Sequence, residues 1–417
     1  MNFFERQLPD DTATAQLGAE IAPWLRRGDF VALEGDLGAG KTALARALLR
    51  ANAKDQSLEV PSPTFTLVQI YDQGRLQISH FDLYRLDDEL DMEELGLEDA
   101  LTGGAVVVEW PSRLGGALPA DRLEVRLNIT RQGQRQANLT GHGAWRERLA
   151  RQRNISRFIA GAGWQAASRT PLAGDSSTRS YERLSRANVT GAKADATTAF
   201  LMNWPQIEEA IVSEGRTYRQ LAGLASSVIP FIAVGSYLHR LGLSVPDLYA
   251  ADETQGFLLL EDLGDKNYGE LIVSGQDMSG PYEAATTALA RLHCEPAPKS
   301  LPLTGGRSYD VPRYNLDICL IEIDLLTRWA WPVLKGSQCP TDIVTAFRQI
   351  WTDLFATLGD APTLMLRDFH SPNLLWLPER EGAARAGIID HQDAVIAHVV
   401  YDVVSLSQDA RVDIDEA

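Results

Sequence analysis

The 417-residue sequence predicts two folded units in tandem, an α/β unit followed by an α+β unit of two lobes. Three observations point there. First, the stretch Gly35-Asp36-Leu37-Gly38-Ala39-Gly40-Lys41-Thr42 stands between an apolar run readable as a buried strand, residues 30–34, and residues 41–50, rich in strong helix formers. Second, 45% hydrophobic content over this length is ample for two or three cores. Third, from about Thr170 the pattern changes to short strands bounded by polar turns, followed by long helical segments.

The glycine stretch fits G-x-x-x-x-G-K-[ST], a loop whose backbone N–H groups converge on phosphate oxygens. Gly35, Gly38 and Gly40 let the chain turn tightly and approach the anion, with Ala39 part of the same nucleotide-binding loop. Lys41 would reach the β/γ-phosphates of ATP, and the Thr42 hydroxyl would bind Mg²⁺. The order strand, loop, helix sets the phosphates at a positive helix end.

The rest of the first unit reads in sequence. Residues 11–27 have helical spacing, with Asp10 or Asp11 as cap. Ser62-Pro63-Thr64-Phe65-Thr66-Leu67 is a turn running into a strand through Tyr71; residues 72–75 are a hairpin turn, and the return strand, 76–82, ends on Asp82. Residues 87–99, with eight carboxylates and no Lys or Arg, suggest a solvated helix. The strand at 105–108 ends in Glu109-Trp110-Pro111, and alternating strands follow at 123–129 and 135–140. Asp82, at a strand's carboxyl end, reads either as a Mg²⁺ ligand or as a turn acid. Glu109 reads either as the group orienting an attacking water or as a structural ion-pair partner. Thr64 or Thr66 would sense the γ-phosphate.

Around residues 141–157 the chain turns basic, and the boundary is expected there: a first domain at 1–150, a basic linker or helix at 151–168, and a second domain at 169–417 with a small lobe at 169–262. In the second domain a polar glycine turn is expected at 171–181, strands at 198–202 and 256–264, and helices at 206–221, 284–293, 316–333 and 342–358. Leu366-Arg367-Asp368-Phe369-His370-Ser371-Pro372-Asn373 carries an Asp and an Asn separated by four residues, and Asp390 follows another apolar strand. Phosphoryl transfer to a hydroxyl needs this trio: Asp368 to accept the proton, Asn373 and Asp390 to hold Mg²⁺.

A net charge of -17 argues against a broad nucleic-acid or anionic-membrane surface. Cys294, Cys319 and Cys339 form no C-x-x-C and suggest reduced thiols. With no signal-peptide pattern and no long apolar run, the expected compartment is the cytoplasm.

Four motifs, Gly35 to Thr42, Ser62 to Leu67, His80-Phe81-Asp82-Leu83-Tyr84-Arg85-Leu86 and Glu109-Trp110-Pro111, together resemble the TsaE (YjeE) family of ATPases in tRNA threonylcarbamoyladenosine synthesis. The resemblance implies a P-loop NTPase fold over about residues 1–150, ATP and Mg²⁺, and a complex with the TsaB and TsaD proteins that reaches tRNA only indirectly. Residues 165–417 resemble the aminoglycoside phosphotransferase and choline kinase superfamily, through Leu258-Leu259-Leu260-Glu261-Asp262-Leu263-Gly264, Arg367-Asp368-Phe369-His370 and Asp390-His391-Gln392-Asp393. The wording is nearest to the AmgK-like sugar kinases. This implies a bilobal, protein-kinase-like fold, a hinge at Glu261 and Leu263 whose backbone holds adenine, and a small sugar acceptor such as N-acetylmuramate or N-acetylglucosamine. Two departures stand out: residues 198–202 have no Lys for the α/β-phosphates, and a large lobe of this kind ordinarily continues past residue 417, so the kinase part is expected to be C-terminally incomplete. Two alternatives are an assembly factor with a non-catalytic kinase-like scaffold and a kinase acting on an aminoglycoside or choline-like amine.

Overall fold

A computed structural model describes residues 3–86, 95–130, 133–172, 179–186, 197–206, 209–213, 215–359, 361–409 and 411–412. The chain divides into two compact units, Met1–Gln165 with Arg169–Pro171, and Ala166–Ser168 with Leu172–Ala417.

The first unit comprises β1 (Phe3–Leu8), α1 (Asp11–Ile21), β2 (Phe30–Gly35), α2 (Lys41–Ala53), β3 (Val68–Tyr71), β4 (Ile78–Asp82), α3 (Leu97–Gly103), β5 (Ala105–Glu109), β6 (Arg122–Ile129), β7 (Arg135–His142) and α4 (Trp145–Gly161). The strands form one sheet in the order β1-β7-β6-β2-β5-β4-β3. β2 lies parallel to both β5 and β6, and β4 parallel to β5. This inner part reads as uninterrupted apolar sequence because both faces are buried. Val31, Leu33 and Val107 point into a core with Leu44 and Leu48 of α2, whereas Phe30, Ala32, Val106 and Val108 join Phe81 and Leu97 on the opposite face. The period of two therefore assigns one face of β4 and β5 to the phosphate loop.

α1 starts where expected, its Asp10 cap accepting from the Ala13 N–H at 2.7 Å. The stretch from Ser62 is, as expected, a turn running into a strand: the Leu67 N–H donates to Pro63 O at 2.7 Å, Leu67 has φ 63, and Val68–Tyr71 is extended. Most of the expected acidic helix, 87–94, lies outside the described residues; its end enters α3. The basic segment is a helix of this unit rather than a linker. Trp145, Leu149, Ile155 and Ile159 of α4 are buried, the Arg148 guanidinium lies 3.8 Å from the centroid of Trp145, and it forks onto Asp29 at 2.6 and 2.8 Å. Its arginines serve packing as well as solvation.

Gly35 closes β2 with φ 143, and a Cβ there would come within 2.4 Å of Leu127 O on β6. Gly35→Ala is expected to cost roughly 1–3 kcal/mol through backbone strain, or to push the phosphate loop off β6. Thermal unfolding of the full chain, read with ATP affinity, checks this; an unchanged midpoint and affinity contradict it.

In the second unit, strands Leu248–Asp252, Phe257–Glu261, Thr198–Asn203 and Ser180–Ser185 stand side by side, each antiparallel to its neighbour. A second core gathers helices Ile229–Arg240 and Ser279–His293 with Leu364, Leu366, Phe369 and Ile388. The helix expected over 206–221 is a hairpin instead: Ile211–Ser213 pairs with Arg216–Thr217, and only Tyr218–Leu221 is helical. Gly215 at φ 73 breaks the helix, and a Thr217–Gln220 capping box starts it late. The expected helix at 316–333 is helical throughout: Leu316–Leu325 continues through a wider helical stretch at Leu326–Ala330 into Trp331–Lys335. Pro332 falls in the first turn of the last stretch. No helix among the described residues is long and apolar enough to cross a membrane.

Candidate active sites

In the first unit the loop Gly35 to Thr42 joins β2 to α2, with Gly38 at φ 79 and Gly40 at φ 104. Both values are left-handed and cheap only for glycine. Ala39 is buried against the core below. The Lys41 ammonium donates to Gly35 O at 2.6 Å and Asp36 O at 2.9 Å, and sits 3.6 Å from the centroid of the Trp110 ring. Burial pulls the Lys41 pKa down; Glu109, Asp82, Glu34 and Asp36 act against that.

Glu109 ends β5 and Asp82 ends β4 at the same level, since the two residues are register partners. The Thr42 hydroxyl donates to Glu109 Oε2 at 2.9 Å, and His80 Nε2 lies 3.0 Å from Glu109 Oε1. Asp82 Oδ2 accepts from Ser62 Oγ at 2.5 Å and from Thr64 Oγ1 at 2.8 Å, while Oδ1 takes the Tyr84 N–H at 3.0 Å. Thr64 is thus tied to Asp82, whereas Thr66 is exposed. Trp110 has φ 60, a left-handed backbone for a bulky residue. That turn lays its ring over Lys41.

In the second unit a cleft of about 490 Å³ is lined by Phe200, Glu261, Leu263, Asn373, Ile389 and Asp390 among others. Glu261 and Leu263, the expected hinge residues, both line this cleft. The Glu261 N–H donates to Asp247 O at 2.8 Å, which removes it as a donor to a bound base. Asn373 Nδ2 donates to Asp368 O at 3.1 Å, which orients the Asn373 carbonyl oxygen away from that bond. Asp390 has φ 57 and pairs with Arg179 at 2.7 Å. Asp368 is pushed up to about 6, first by burial and then by Asp390 and Asp393. His370 Nε2 is 3.9 Å from Asp368 Oδ1.

Several working residues escaped the sequence reading. Asp402 is fully buried and accepts the Leu366 N–H at 2.7 Å and the Arg367 N–H at 2.9 Å, holding Arg367 at φ 71 just before Asp368. Arg367 itself bonds Glu322, and Tyr314 OH donates to the other Glu322 oxygen at 2.5 Å. Asp324 pairs with Arg348 at 2.5 Å and Arg328 at 3.3 Å. In the small lobe, where residues 198–202 lack a lysine, Arg183 lies over Phe200 and pairs with Asp262 and Asp265. Lys193 lies outside the described residues. Only His80 left a usable signal: two residues before Asp82 on a strand, it must share that residue's face.

Burial raises Asp402 to about 7. A carboxyl whose folded value stands above its unfolded one stabilises the fold below the unfolded pKa, near 4, and loses that contribution as pH rises through 7. The stability gap between the parent and Asp402→Asn is therefore expected to narrow, in the parent's disfavour, between about pH 4 and 7. Urea melts across that range check it; a constant gap contradicts it.

Comparison with known proteins gives two matches along the chain. Residues 8–137 match the family model "Threonylcarbamoyl adenosine biosynthesis protein TsaE", and residues 168–417 match "Phosphotransferase enzyme family". The TsaE protein of Bacillus subtilis is 37% identical over 154 residues, 36% of this chain and 93% of its own length. That of Synechocystis sp. is 44% identical over 119 residues, 27% of this chain and 72% of its own length. The N-acetylmuramate/N-acetylglucosamine kinase of Caulobacter vibrioides is 36% identical over 265 residues, 61% of this chain and 70% of its own length. The chain belongs to the TsaE family over its first unit and to the phosphotransferase enzyme family over its second, each part using a nucleotide.

Proposed function

We propose that the chain couples two ATP-using activities in the cytoplasm. The first unit hydrolyses ATP in the synthesis of threonylcarbamoyladenosine on tRNA, in complex with TsaB and TsaD. The second transfers the terminal phosphoryl group of ATP to a hydroxyl of an amino sugar of the N-acetylmuramate or N-acetylglucosamine type.

The observation that carries the first assignment is the chain of contacts Thr42–Glu109–His80 beside Lys41 and Asp82. Thr42 and Asp82 offer only oxygen donors, the chemistry Mg²⁺ takes. Among the described residues no three His, Cys, Asp or Glu side chains form a metal cage, which suits an ion completed by phosphates and water. Mg²⁺ would neutralise charge building on the phosphates. The backbone of Gly38, Ala39 and Gly40 cradles the phosphates, Lys41 turns from the loop carbonyls to the γ-phosphate, and Glu109 orients the attacking water. Thr64, already on Asp82, senses the γ-phosphate.

In the second unit Asn373 and Asp390 supply oxygen donors for Mg²⁺, Asp368 takes the acceptor proton, and the Glu261 carbonyl with the Leu263 N–H holds adenine. Glu322 and Asp324 are both paired with arginine, so neither is free to receive a cationic amine. That favours a neutral or anionic sugar over an aminoglycoside or choline.

Steady-state ATP hydrolysis with and without TsaB and TsaD tests the first assignment, and an acceptor screen with Mg·ATP tests the second. Glu109→Gln is expected to lower hydrolysis by about 10²-fold with ATP binding retained. Parental hydrolysis by that variant, or no transfer to any amino sugar, sinks the corresponding half.

A further inference from the structure

We infer that His80 is a positioning residue for ATP hydrolysis in the first unit, holding the Glu109 carboxylate in the rotamer that engages Thr42. The inference rests on the ATPase reading above and deepens it.

His80 sits in the middle of β4 with no exposed surface, and Glu109 is 2% exposed. The two oxygens of Glu109 are divided between two partners: Oε1 takes His80 Nε2 at 3.0 Å, and Oε2 takes the Thr42 hydroxyl at 2.9 Å. A carboxylate gripped at both oxygens has one orientation; released at one, it rotates about its last torsion, which is broad for Glu. His80 Nδ1 has no hydrogen-bond partner among the described residues, so the polar commitment of the ring goes to Glu109 alone. A deeply buried histidine of the second unit, His391, instead bonds a backbone carbonyl, Phe231 O, at 3.1 Å, and stacks on that residue's ring. That is how a histidine serving only the core behaves. His80 is spent on a side chain that itself touches the phosphate-loop threonine. Without it, a buried carboxylate oxygen loses its partner, and Glu109 is left to the attraction of Lys41.

The test uses the full chain with TsaB and TsaD and reads kcat and KM for ATP separately. His80→Gln sets an amide N–H near the position of Nε2, whereas His80→Asn sets it near Nδ1, out of reach of Glu109, at similar size. His80→Asn and His80→Leu are expected to lower kcat by about 10- to 100-fold, as loss of an outer-shell partner does, with KM changed less than about twofold. His80→Gln should recover most of the rate. Combined with Glu109→Gln, His80→Asn should add nothing, because the residue acts through Glu109. Equal rates for the Gln and Asn variants, or effects that multiply in the double variant, overturn the inference and leave the ATPase reading standing. Parental hydrolysis by Glu109→Gln overturns both.

Discussion

Lys41→Ala is expected to weaken ATP binding by the first unit about 10- to 150-fold, the 1.5–3 kcal/mol of a hydrogen bond to a charged group. The ammonium is buried, drawn down by desolvation and held by Gly35 O, Asp36 O and the face of Trp110. A γ-phosphate offers it a full negative charge in place of two carbonyl dipoles, so binding should draw it across a short distance onto the anion. Trp110 then loses its cation, and its fluorescence should change on titration with ATP in the parent but not in Lys41→Ala. Thr42→Ala should weaken chiefly the Mg²⁺-dependent part of binding, since it removes one oxygen donor and one partner of Glu109. Nucleotide titration of the full chain checks both; parental affinity in Lys41→Ala contradicts the assignment of the loop.

Asp368→Asn should be the most damaging change in the second unit, lowering phosphoryl transfer by about 10²- to 10⁴-fold, the range of a general base. Asn cannot accept the acceptor proton, yet it keeps the size and the backbone carbonyl that Asn373 uses. KM for ATP should stay near the parental value, because Asn373 and Asp390 remain. The setting of Asp368 suits it, rather than Asp390, to the proposed role of base. Asp390 is neutralised by Arg179, whereas Asp368 lies buried among acids and its proton affinity is correspondingly raised. A variant that transfers at the parental rate, measured with N-acetylmuramate or N-acetylglucosamine, removes Asp368 from that role.

Motifs fixed by chemistry were legible in the chain, and residues that act through distant partners were not. The phosphate loop declares itself because glycines, Lys41 and Thr42 must be contiguous. Asp82 and Glu109 could be found because each ends an apolar strand, and parallel strands set such ends at one edge. Asp402 could not be found that way. Its partners are backbone N–H groups 35 and 36 residues earlier, and no local pattern encodes that meeting. Arg183 likewise acts across sheet and turn, on Asp262 and Asp265. The failed helix at 206–221 has another cause: apolar spacing persists through it, but Gly215 imposes backbone geometry that hydrophobic periodicity does not register. The Glu261 N–H escaped for a third reason, since only the fold reveals that Asp247 O already occupies it.

The most direct test of the central claim, two separate nucleotide sites in one chain, is the stoichiometry of a non-hydrolysable Mg·ATP analogue bound to the full chain by calorimetry. Two equivalents are expected for the parent; in Lys41→Ala one keeps its parental affinity while the other weakens about 10- to 150-fold, and further substitution of Asn373 and Asp390 by alanine removes the unaffected one. A single equivalent in the parent, or two of parental affinity in Lys41→Ala, would contradict it.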